Sequence, residues 1–179
     1  MYTRQKGSQV DPRSKIEIQN IAIAVREMFC EPKQKYLNLA YILEISMSKK
    51  FPNFNVEVCD KSEMGNSLAF ACIGLDSIKV REDVYNKLLD HDGMARFTIA
   101  HELGHYFMHR KPQYFHRLDA NMDFPIYEDS EWQANTFASS FMAPTPLILN
   151  CVDKFQISSE FGMSHSAAKV AFDRKLCKK

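Results

Sequence analysis

The sequence predicts an α+β domain: a small, mostly antiparallel sheet packed against one long central helix, followed by a helical C-terminal part. Three observations carry this. Between residues 53 and 80, short apolar runs are separated by Gly-containing turns, which favours strands joined as hairpins over crossovers. From Met94 to Arg110 a largely apolar stretch is long enough for about four to five helical turns. Beyond it, prolines and a glycine punctuate shorter helical segments as far as the C-terminus.

The elements follow in order. Residues 1–14 are polar, lack the apolar core of a secretory signal, and are expected to be a flexible tail ahead of a single domain at 15–179. From Lys15 to Cys30 apolar residues recur at helical spacing, and Glu31-Pro32 stops the helix because proline cannot continue the hydrogen-bond ladder. Tyr36 to Met47 is apolar-rich and helical or mixed. Asn53 to Val58 alternates apolar with polar and reads as a strand. Met64-Gly65-Asn66 signals a turn, and Leu68–Ile73 and Ser77–Val80 complete the sheet on either side of Gly74. Val84 to Leu89 is ambiguous between helix and strand. Asp90 to Gly93 is a loop, after which the central helix runs to Lys111-Pro112. The stretch to Asp129 holds Pro125 and mixed polarity and reads as loop. Ser130 and Gln133 stand in capping-box spacing at the start of a helix that ends near Ala143. Thr145-Pro146 opens another helix, Gly162 closes that region, and Ser164 caps a last helix through Phe172.

Bulk properties narrow the function. The chain has 179 residues, with 45% hydrophobic and 25% charged, which suits one core. A net charge of +1, from 23 basic and 22 acidic residues, argues against bulk electrostatic binding to nucleic acid or an anionic membrane. No run of 18 apolar residues occurs, so no membrane-spanning helix is expected. The five cysteines are odd in number and none pair as CxxC. Reduced thiols in a cytoplasmic protein are the expectation.

The chemistry concentrates at His101-Glu102-Leu103-Gly104-His105. Two histidines four apart on a helix lie one turn apart on one face, so both imidazoles reach one metal ion. Glu102 leans to the side of that ion, where it is placed to deprotonate a water. The flanking Phe97 to Ala100 and Tyr106 to Met108 are nearly all apolar, and polar groups on a buried helix must be satisfied. A metal does so directly, and zinc is the expected one.

A catalytic zinc needs a third protein ligand and an open position. Glu131 and Asn135, four apart on the next helix, offer a carboxylate for the metal and an amide to orient a ligand histidine. Glu128, Asp129 and Asp123 are rivals, all in the preceding loop. His109 lies one turn beyond His105, and as a third ligand it would strain a straight helix. It reads as a residue at the rim or behind a ligand. Tyr114, His116 and Tyr127 are candidates to donate to the oxyanion formed when water attacks a carbonyl. His91 and His165 are given no role.

At these residues the sequence resembles the ImmA/IrrE family of metallopeptidases. The likeness runs through Arg96–Tyr106, Glu131–Ala138 and Phe141–Pro144, with a weaker echo at Phe161–Ser164 and Ala167-Ala168. It implies a minimal zincin-like fold, zinc held by His101, His105 and Glu131, and Glu102 as catalytic base. It further implies an intracellular zinc endopeptidase whose partner is a protein substrate such as a helix-turn-helix repressor, in stress, mobile-element or toxin–antitoxin circuits. Family members often carry a second acidic residue where this chain has Gln133, and no role is assigned there.

A competing reading makes the protein a regulator or toxin-module component, with a structural or sensory zinc site and function through partner or DNA binding. The Gly162–Ser164 break loosely resembles a helix-turn-helix, and Arg174, Lys175, Lys178 and Lys179 give a basic end. One basic cluster is weak evidence for nucleic acid, so direct nucleic-acid binding is not expected.

Overall fold

The computed structural model describes residues 7–72, 74–109 and 124–176. Helix α1 (Lys15–Glu27) opens on a capping box, with Ser14 Oγ accepting from the Glu17 N–H and Glu17 accepting from the Ser14 N–H. Its buried residues Ile18, Ala22, Val25 and Arg26 fall at i, i+4, i+7 and i+8, one continuous stripe. A helical stretch follows, made of α2 (Leu39–Tyr41), a π-helical turn at Ile42–Ser46 and α3 (Met47–Lys50).

The sheet comes next: β1 (Asn55–Cys59), a short α4 (Lys61–Met64), β2 (Ala69–Cys72) and β3 (Ser77–Arg81). The α+β class holds, but the sheet is mixed rather than mostly antiparallel. Its order is β1-β3-β2, with β2 antiparallel to β3 and β1 parallel to it. The hairpin expectation is right for β2 and β3 alone. The reason lies at Asp60–Gly65, which carries a helical turn where a tight turn was expected. Glu63 accepts from the Asp60 N–H at 3.2 Å, and Gly65 ends the turn at φ +56°. That turn carries the chain past the neighbouring position, so β3 inserts between β1 and β2. The central strand buries Ile78 and Val80 completely.

Helix α5 (Glu82–Leu89) settles the ambiguous segment as helix. Helix α6 (Gly93–Met108) is the long central element, capped by Asp92, whose carboxylate accepts from the Met94 and Ala95 N–H groups. It is buried on most of its circumference, between β2, α5 and α7 (Ser130–Met142). A single turn of 3₁₀ helix, Ile126–Glu128, leads into α7. The cap of α7 is Asp129 rather than Ser130: its Oδ1 accepts from the Glu131 and Trp132 N–H groups at 2.8 and 3.1 Å. Ser130 Oγ is occupied instead by the Ser8 N–H. The chain closes with α8 (Thr145–Ile148), α9 (Lys154–Phe161) and α10 (His165–Leu176). Among the described residues, no helix is long and apolar enough to cross a membrane.

The expected tail is a built part of the fold from Gly7 onward. Gln9 bridges to Asp129, Val10 N–H donates to Glu128 O, and Arg13 N–H donates to Tyr127 O. Val10 is buried. At the other end of α7, Arg26 donates to Phe141 O and Met142 O, and Arg174 donates to Ala143 O and to the Ser139 and Ser140 hydroxyls. Two buried guanidiniums thus satisfy the last carbonyls of the helix and complement its dipole. Arg174 therefore belongs to the core and not to a basic surface. Lys175 donates to Cys151 O, while Lys178 and Lys179 lie outside the described residues.

Candidate metal centre

Helices α6 and α7 cross at Gly104. A Cβ there would stand 3.0 Å from Phe137 Cδ1 and 3.3 Å from Ala134 Cα, so glycine permits the approach. That approach puts the first turn of α7 over the motif on α6. His101 Nε2 and His105 Nε2 lie 3.0 Å apart, and the Glu131 carboxylate oxygens lie 3.2 and 3.3 Å from them respectively. Among the described residues, these three offer ligand atoms that all fall within 4.8 Å of one another.

The donor set fits a divalent metal. Ligand atoms about 2.0–2.1 Å from a tetrahedral zinc stand about 3.3 Å from each other. The three separations match that spacing. Two imidazole nitrogens and one carboxylate are three ligands, one fewer than a closed tetrahedral site takes. The hydrogen bond between His101 Nδ1–H and Asn135 Oδ1, 3.1 Å, leaves the His101 Nε2 lone pair aimed at the cluster.

Glu102 is 7% exposed, and its Oε2 accepts from the Ala71 N–H on β2 at 2.8 Å. Burial raises its pKa, against the lowering influence of His101 and His105. Glu131 is the opposite case: the His101 and His105 imidazoles beside it hold its carboxyl well below the usual range. Burial pulls His101 down, yet Glu131, Glu102 and Asn135 together outweigh it and its pKa is raised. His109 is buried behind His105, with their Nδ1 atoms 3.0 Å apart, and burial lowers its pKa to about 4. Its Nε2 faces Gln133 Oε1 at 3.1 Å.

The structure brings His101, Glu102, His105, Glu131, Asn135 and His109 together. The rival acids are engaged elsewhere: Glu128 accepts from Gln9, and Asp129 caps α7. Asp123, Tyr114 and His116 lie outside the described residues. Tyr127 is exposed, and its carbonyl serves Gln133 and Arg13. His91 pairs with the Tyr36 hydroxyl, and His165 sits edge-on to Phe155. Three features escape sequence reasoning: Gln133, Arg13 and the Ala71 N–H. The last is a backbone group and leaves no signal in residue type.

A family model for a peptidase family, described as the IrrE N-terminal-like domain, matches residues 84–173. The match takes in the whole of α6 and α7 and with them every residue of the cluster. A solved structure described as a Mycobacterium tuberculosis transcriptional regulator is similar in fold, with a TM-score of 0.57 at 15% sequence identity. The similarity covers 88% of this chain and 50% of that one, so this chain spans about half the neighbour's length. A comparison with curated proteins gave no match.

Proposed function

The chain belongs to the peptidase family of the IrrE N-terminal-like domain, and on that footing we propose that it is an intracellular zinc endopeptidase cutting a specific regulatory protein, such as a helix-turn-helix repressor. The observation that carries this is the convergence of His101, His105 and Glu131 beside a buried carboxylate, Glu102.

Zinc held by these three residues would supply a Lewis acid that polarises a peptide carbonyl and makes water easier to deprotonate. The remaining work falls to side chains. Glu102 takes the proton from the attacking water and returns it to the departing amine. Burial raises its basicity, and the Ala71 N–H fixes one of its two oxygens. Among the described residues, strand β2 is an edge of the sheet, and it meets Glu102 through the Ala71 N–H. An extended peptide adding to that edge would bring its carbonyls to the cluster.

The regulator reading has one observation in its favour, the description of the M. tuberculosis neighbour. Against it stands Arg174, whose guanidinium is turned into the core instead of toward a nucleic acid. The discriminating experiment incubates zinc-loaded wild type and Glu102→Gln with host lysate and reads new protein N-termini by mass spectrometry. A short set of cuts present with wild type and absent with the variant is the expected result. Identical termini in both samples would remove the peptidase reading.

A further inference from the structure

Behind the cluster, a chain of hydrogen bonds runs from His105 to the N-terminal segment, and its polarity can be worked out from one end. Gln133 is fully buried. Its Nε2 donates to Asp11 O and to Tyr127 O, each at 2.8 Å, so both amide hydrogens are used. Oε1 therefore faces the other way, where it accepts from Arg13 Nη1 at 3.0 Å and lies 3.1 Å from His109 Nε2. An amide oxygen only accepts, so His109 must carry its hydrogen on Nε2.

The Nδ1 atoms of His105 and His109 face each other at 3.0 Å, so only one of them carries a hydrogen, and the buried His109 already holds its own on Nε2. With its hydrogen on Nε2, its Nδ1 is a bare acceptor. His105 Nδ1, 3.0 Å away, must then be the donor. The hydrogen of His105 is thereby placed on Nδ1, and its Nε2 is left as a lone pair facing His101 Nε2 and Glu131.

We propose that His109 and Gln133 are positioning residues for the metal ligand His105, fixing the tautomer and ring orientation that bind metal, with Asp11 and Arg13 completing the support. This rests on reading His101, His105 and Glu131 as a metal centre. It assigns work to three features that the motif itself does not contain: a histidine one turn beyond it, a glutamine on the facing helix, and a segment about 120 residues away in sequence.

Two substitutions at one position separate this role from simple packing. Glutamine at 109 can accept from His105 and donate to Gln133, whereas leucine fills comparable space and does neither. Zinc affinity is measured by competition with a chromophoric chelator, and the fold of each metal-free variant by circular dichroism and its thermal midpoint. His109→Leu should bind zinc about 10–100-fold more weakly than wild type, the usual cost of losing such a partner. His109→Gln should stay close to wild type. Wild-type affinity in His109→Leu, or an equal loss in both variants, would overturn the proposal. Should His109→Leu fail to fold, nitrogen NMR of histidine-labelled, zinc-loaded wild type decides the matter. His109 should carry its hydrogen on Nε2 and His105 on Nδ1, and the reverse pattern at His109 would refute it. If wild type binds no zinc at all, the metal reading itself fails, an outcome distinct from either of these.

Discussion

His109 also leaves a mark on stability. Its pKa in the folded protein is about 4, against 6.5 for the free imidazole, with burial the main cause. The unfolded chain takes up a proton below about pH 6.5 that the folded protein refuses. The stability tied to neutral His109 is full above that pH and is lost as pH falls toward 4, by up to about 3 kcal/mol. Two neighbours act differently. Glu131, held below the usual carboxylate range, adds a loss only beneath its unfolded value of 4.5. His101, raised, favours folding more as pH falls. Comparing wild type with His109→Gln cancels both. Urea unfolding of the metal-free proteins at about pH 7 and about pH 5 should show wild type losing about 2 kcal/mol more than the variant. Equal losses would mean that His109 is not kept neutral by the fold.

At the level of elements, the ligand set depends on how closely α6 and α7 approach. Gly104 lies inside the motif yet makes no contact through a side chain; it is the space against Phe137 and Ala134. Gly104→Val should push α7 outward, at about 1–3 kcal/mol for the overpacked contact, and weaken zinc binding because Glu131 withdraws from the two histidines. Thermal unfolding and a zinc titration check both effects, and an unchanged zinc affinity would show that the helix spacing is not what sets the ligand geometry. The two ends of α7 are secured separately. Asp129 caps its start, while Arg26 from α1 and Arg174 from α10 cap its end. Legibility differs between these elements. His101, Glu102 and His105 lie on one helix at fixed spacing, so their geometry follows from the helical period alone. Glu131 could be placed because Asn135 follows it one turn later. The cap at Asp129 and the order β1-β3-β2 depend on which neighbour captures Ser130 and on the helical turn at Asp60–Gly65. Neither is set by local pattern.

For the whole molecule, the long-range contacts are what the sequence hides. Residues 7–13 look like a polar tail because nothing in their composition says that Asp11 O will meet Gln133 or that Ser8 will meet Ser130. Once docked, they brace the first turns of α7, where Glu131 sits. Arg26, Arg96 and Arg174 look like surface charges, yet all three are buried on backbone carbonyls: Arg96 ties α6 to the α9–α10 turn through Gly162 O and Phe161 O. The fold class was readable because it rests on periodicity, and the convergence of His101, His105 and Glu131 because it rests on two short helical spacings. The support behind the cluster was not, since it joins three distant parts of the chain.

The most direct test of the metal centre is zinc content per chain, measured by elemental analysis after purification and dialysis against trace zinc, for wild type, Glu102→Gln, His101→Ala and Glu131→Ala. Wild type and Glu102→Gln should hold equimolar zinc, and His101→Ala and Glu131→Ala little or none, with all four proteins folded. Full zinc occupancy in His101→Ala and Glu131→Ala, or none in wild type, would contradict the metal-centre assignment.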